Sequence, residues 1–249
     1  MAGLPSFFKG DFVVNNRGCE GFVVEYINAR KVLVEFLDDN GYRGFFEASD
    51  LREGVFKNPY IPTVEGVGYL GVGEHKSRVN GKICKVYKAW SGMLTRCYTK
   101  NSRSKWLSYE GCTVHKDWHN YQNFAEWYKN QKFYDSGYHL DKDILVRGNK
   151  VYGPETCCLV PEAVNLSIGG RKGLDDTHEF GAYLDKRIGK YHSRISMFGK
   201  ELHLGMFDNP EDATEAYKKA KKHYMKCLAD TYKDYIDENV YLALSDWDI

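Results

Sequence analysis

Between Tyr87 and Asn165 the apolar repeat of the chain changes period, so the fold is neither all-helical nor all-β. Tyr87, Trp90, Leu94 and Cys97 recur at three and four residues, as do Trp118, Tyr121, Phe124, Ala125 and Tyr128. That spacing predicts two amphipathic helices. Further on, Leu140, Ile144 and Val146 form a strand pattern, Arg147-Gly148-Asn149 a turn, and Lys150-Val151-Tyr152 resumes the strand. Pro161 to Asn165 then opens a helix. His139, Asp141, Asp143, Asn149, Glu155 and Asn165 lie on or beside this hairpin and helix. Hard divalent ions such as magnesium take oxygen ligands of this kind.

The flanking segments have different patterns. Residues 1–56 contain four short β-rich runs separated by Asn-Arg-Gly, Asn-Ala-Arg and Asp-Asn-Gly turns, which predicts a small antiparallel barrel. Residues 57–76 have linker composition, with Pro59, Pro62, Gly66, Gly68, Gly71 and Gly73, while Val67, Tyr69 and Val72 mark an extended segment that packs. Residues 166–178 read as a second linker. Residues 179–236 show three strand patterns and then a helix beginning at Asn209-Pro210-Glu211, whose apolar face is Ala213, Ala216, Tyr217, Ala220, Tyr224 and Leu228. Lys218, Lys219, Lys221, Lys222 and Lys226 form its solvated face. The acidic tail, 237–249, is expected to dock through Leu242, Leu244 and Trp247. The fold class is α+β, with several small units in 249 residues.

Charge separates these units. Residues 1–74 hold seven Lys and Arg against eleven Asp and Glu, whereas 75–165 hold fifteen against eight. The excess of positive charge falls on the central stretch, where a phosphate backbone is expected to lie. The seven cysteines contain no C-x-x-C pair, so reduced, mostly buried thiols are the expectation, with a zinc site at Cys84, Cys97, Cys112 and Cys157 the weakly supported alternative. No apolar run is long enough to span a bilayer, and the N-terminus lacks the pattern of a secretory signal. A cytoplasmic protein is expected, with no membrane partner and no organic cofactor.

The order W-x2-M-L-x-R-C-Y, V-x-x-x-W, F-x-x-W, L-D-K-D, Y-x-P-E-x-C and a closing Asn resembles the HNH endonucleases of phages and mobile introns, over residues 77–165. The resemblance implies a ββα-metal unit. In it a histidine at the end of the first strand is the general base, and an acid with a C-terminal His or Asn holds one divalent metal, Mg or Mn. Here Asp141 or Lys142 falls near the base position and the nearest histidine is His139. The resemblance therefore points to His139 and Asp141 as catalytic candidates and to Asp143 and Asn165 as metal ligands, with Asn149 and Glu155 in support. Residues 1–56 resemble SH3-like barrels of the Tudor and KOW kind, and this acidic unit is a candidate surface for a host protein.

In residues 179–236, G-K-Y, R-I, L-G-x-F and E-x-A-x-x-A-Y resemble the Apetala2-type DNA-binding domain, with His203 where that family has tryptophan. Such a sheet lies in the major groove of duplex DNA. The outward candidates are Tyr183, Lys186, Arg187, Lys190, Arg194, Ser196 and His203. The leading expectation is a phage-type endonuclease acting in a bacterial cell. The alternatives are a catalytically inactive DNA-binding protein and an inhibitor or adaptor that binds a host protein.

Overall fold

The computed structural model describes residues 6–99, 109–169 and 181–248. Within them the chain is α+β, with five small sheets and six α-helices. None of these helices is long and apolar enough to cross a membrane.

The N-terminal runs form β1 (Phe12–Val14), β2 (Glu20–Asn28), β3 (Lys31–Phe36) and β4 (Arg43–Phe46). They pair antiparallel in chain order. Val13, Val23, Val32, Val34 and Phe36 point to one face and bury against Ala48 and Leu51 of α1 (Ala48–Glu53) and against Phe56. Where a small barrel was expected, the described residues form a four-stranded meander whose edge strands β1 and β4 pair only with their chain neighbours. One helix covers the inner face instead.

The segment after Phe56 is a strap packed on the central unit. Tyr69 donates its N–H to the His119 carbonyl, and Tyr121 donates to Tyr69. At Gly68 the strap passes so close to the next helix that an added Cβ would lie 2.4 Å from Leu94 Cδ1 and 2.9 Å from Trp90 Cζ2. A glycine is required by that approach rather than by a turn.

A two-residue hairpin, β5 (Arg78–Val79) with β6 (Lys82–Ile83), leads into α2 (Lys85–Tyr98). α3 (Tyr121–Lys129) packs on α2 through the predicted apolar faces, around Trp90, Met93, Leu94, Trp118 and Phe124. The Trp90 indole N–H donates to the Trp118 carbonyl at 2.7 Å, so a buried polar atom is satisfied inside that core.

The predicted 140–152 hairpin does not form. β8 (His139–Asp141) ends two residues into the expected strand and pairs antiparallel with β10 (Cys158–Val160). β9 (Val151–Tyr152) pairs parallel with β7 (Thr113–Val114) instead. Asp141 is the local cause: its Oδ1 accepts from the N–H groups of Asp143 at 2.7 Å and Ile144 at 2.8 Å, curling the chain out of strand geometry. α4 (Glu162–Ile168) follows β10 directly, starting after Pro161 as the sequence predicts.

At the C-terminal end β11 (Ala182–Asp185), β12 (Lys190–Met197) and β13 (Lys200–Phe207) form an antiparallel sheet covered by α5 (Pro210–Tyr232). Asn209 caps α5 by accepting from the Asp212 N–H at 2.8 Å. At Gly181, φ is +83° and a Cβ would meet Tyr217 Cγ at 2.2 Å, so the chain enters the sheet through a position open only to glycine. α6 (Glu238–Ser245) folds back on α5, burying Val240, Leu244 and Trp247, while Leu242 faces solvent.

This last unit shares its core with the central one. Ile144, Cys158, Val160 and Val164 pack in one cluster with Ile195, Met225, Leu228, Leu244 and Trp247. Residues 170–180, most of the expected second linker, lie outside the described residues. Lys221 is a correction to the solvated face of α5: it is 5 % exposed, and its ammonium donates to the Ser167 carbonyl in the last turn of α4.

Candidate functional site

β8, β10 and α4 set the site. Register pairs His139 with Val160, and α4 starts two residues beyond Val160. Asn165, in the first full turn of α4, therefore faces His139, and its side-chain amide nitrogen lies 3.3 Å from His139 Nδ1. Both residues line a cleft of about 640 Å³ together with Asp141, Lys142, Asp143 and Arg147.

The carboxylates in the cleft are already engaged. Asp141 is buried and clamps the following turn through Oδ1. Burial pushes its pKa up, against the downward pull of those two N–H groups. Asp143 lies beyond the end of β8, so the strand alternation that aligns it with His139 and Asp141 in the sequence does not extend to it. Its Oδ1 takes the buried Lys142 ammonium at 2.6 Å. Lys142 also donates to the Asn149 carbonyl at 3.0 Å. Asn149 is a loop clamp: its amide donates to the carbonyls of Lys142 and Val151, and its oxygen accepts from the Val151 N–H. Glu155 is exposed and does not line the cleft.

Sequence reasoning missed three further cleft residues. Arg96 reaches in from α2. Arg147 stacks on Trp247, with its guanidinium carbon 3.8 Å from the ring centroid, and donates to the Asp248 carbonyl. Burial lowers the Arg147 pKa. Trp247 comes from the docked tail, whose apolar residues were the only signal in the sequence.

Among the described residues, the His, Cys, Asp and Glu atoms that converge as a possible ion site are those of Glu74, His75 and Glu126, away from this cleft. There His75 Nδ1 receives the Lys129 ammonium at 3.0 Å and Nε2 meets Glu126 at 2.9 Å. Both ring nitrogens are occupied, and the His75 N–H donates to Gln122. The group fastens the strap to α3.

The C-terminal sheet gathers four of its seven candidates. Ser193 and Ile195 are buried, so Arg194 and Ser196 project to the opposite face. Arg194 pairs across the strands with His203, and Tyr183 with His192. Arg194 lies 5.5 Å from the Tyr183 ring centroid and donates to Glu201 at 3.1 Å. Lys186 is exposed in the β11–β12 turn. Arg187 is bound to Asp185 and holds that carboxyl far below the usual range, while Lys190 pairs with Asp208 at 3.0 Å.

No protein-family model, curated protein or solved structure matches the chain.

Proposed function

We propose that the protein is a DNA-binding endonuclease of the HNH type, acting on duplex DNA in the bacterial cytoplasm. The observation that carries this reading is the His139–Asn165 contact across β8 and α4, at the floor of a cleft with three cations on its walls. In this reading His139 is the general base. Asn165 positions its ring through the 3.3 Å contact of its side-chain amide with Nδ1. The oxygens of Asn165 and of the half-exposed Asp143 carboxylate are hard donors suited to Mg or Mn. Such an ion, when bound there, polarises the phosphate and stabilises the leaving oxygen. Arg194, Tyr183, Ser196 and His203 form the base-reading face, in the manner of an Apetala2-type sheet. The acidic N-terminal meander fits contact with a host protein.

One observation favours a second reading, DNA binding without cleavage: both carboxylates of the cleft are held by protein groups. Plasmid incubated with the purified protein in magnesium, in manganese and in EDTA separates the two. Metal-dependent nicking or linearisation supports the nuclease. A band shift in EDTA with no cleavage in either metal supports the binder. Absence of both removes DNA from the account.

A further inference from the structure

The face of α2 that borders the cleft is built for a cation. Trp90, Met93, Leu94 and Cys97 bury into the core. Ala89, Gly92 and Arg96, spaced at three and four residues, occupy the adjoining face, and Ala89 and Arg96 line the cleft. Small residues at 89 and 92 leave room along the helix, and a Cβ added at Gly92 would sit 3.7 Å from Arg96 Nη1.

Two tyrosines hold the guanidinium. Its carbon is 5.6 Å from the ring centroids of both Tyr109 and Tyr152, and the Tyr152 hydroxyl is a polar neighbour. Each of the other cleft cations has a carboxylate or carbonyl partner, Lys142 the Asp143 carboxylate and Arg147 the Asp248 carbonyl, whereas the oxygen beside Arg96 is the neutral Tyr152 hydroxyl. The Arg96 Nε is buried without a hydrogen-bond partner among the described residues. A cation with no carboxylate partner and a bare buried N–H is an arrangement that an anion relieves. A planar fork fixed between rings has also lost its rotational freedom before the anion arrives.

We propose that Arg96 is the anion-gripping residue of the cleft and that it takes a phosphate group. This rests on the nuclease reading only for the source of the phosphate, a backbone position beside the one facing His139.

The test uses the full chain in EDTA and two probes, inorganic phosphate by titration calorimetry and a 30-base-pair duplex by fluorescence anisotropy across salt. The variants are Arg96→Met, Arg96→Lys and, as a charge-matched surface control, Lys219→Met. Saturable phosphate binding should weaken about tenfold or more in Arg96→Met. It should weaken less in Arg96→Lys, which keeps the charge and loses the fork, and this variant guards against a folding defect in the first. It should be unchanged in Lys219→Met. On duplex, Arg96→Met should lower the salt slope by about one. Phosphate binding that needs Arg96, with duplex binding indifferent to it, keeps the subsite and assigns it to small phosphorylated compounds; the plasmid cleavage assay then decides the nuclease reading separately. No phosphate binding by the unmodified protein, or equal binding by Arg96→Met, overturns the proposal.

Discussion

Replacing Lys221 by Met should change how stability responds to pH. The ammonium is buried between α5 and α4, and burial, with Arg147 nearby, lowers its pKa from 10.5 to about 8. That difference corresponds to about 3 kcal/mol of strain on the charged form. Below pH 8 the lysine is protonated in both folded and unfolded chains, so the folded state carries the whole penalty. Between about 8 and 10.5 the folded chain releases its proton while the unfolded chain keeps it, and stability rises with pH. The wild type should therefore gain about 2.5 kcal/mol on Lys221→Met between pH 7 and pH 10. At pH 7 the two should lie within about 2 kcal/mol, because Met removes the buried charge but leaves the Ser167 carbonyl without its donor. Urea unfolding followed by tryptophan fluorescence at each pH gives the difference directly, and other titrating groups cancel between the two proteins. Parallel stability curves would refute the argument, as would a gain for the variant at high pH.

Asp141→Ala should cost about 1–3 kcal/mol by stranding the N–H groups of Asp143 and Ile144, while Asp141→Asn, which keeps the acceptor, should stay within about 1 kcal/mol of wild type. A stable Asp141→Asn protein that has lost cleavage would instead make Asp141 the base. His139→Ala should reduce metal-dependent cleavage about 10²- to 10⁴-fold with the band shift in EDTA intact; equal loss of both would demote His139 to a binding residue. Gly68→Ala should destabilise by about 1–3 kcal/mol through overpacking on Leu94 and Trp90, and limited proteolysis should then cut within the strap. Unaltered stability and proteolysis would mean that the strap does not seat against α2 as described.

The helices were legible because each repeats its apolar spacing over two turns or more. α2, α3 and α5 bury most of the residues named from periodicity, Tyr87, Ala216 and Ala220 being partly covered, and Asn209 caps where Asn-Pro-Glu predicted a start. The meeting of Asn165 with His139 was legible in outline, since a strand followed at once by a helix brings the two chains side by side. The partner of β8 was not. Three-residue strands carry almost no alternation, and the 139–160 pairing is decided by Asp141 curling the chain after two more residues. Lys221 and Arg96 were hidden for another reason. Long basic side chains at polar spacing look alike whether they end in water or in a core, and only the packing of α4 and of the Tyr109–Tyr152 pair distinguishes them.

The shared core has a consequence for synthesis. Ile144, Val160 and Val164 stand behind the His139–Asn165 pair, yet the side chains that complete their packing, Leu244 and Trp247, leave the ribosome about 80 residues after Asn165. Until then the second wall of the cleft is missing, and Arg147 has no ring to lie on. A nascent chain that has already extruded every residue of β8, β10 and α4 therefore still lacks a finished site, and the cleft comes into being only as the last helix folds back.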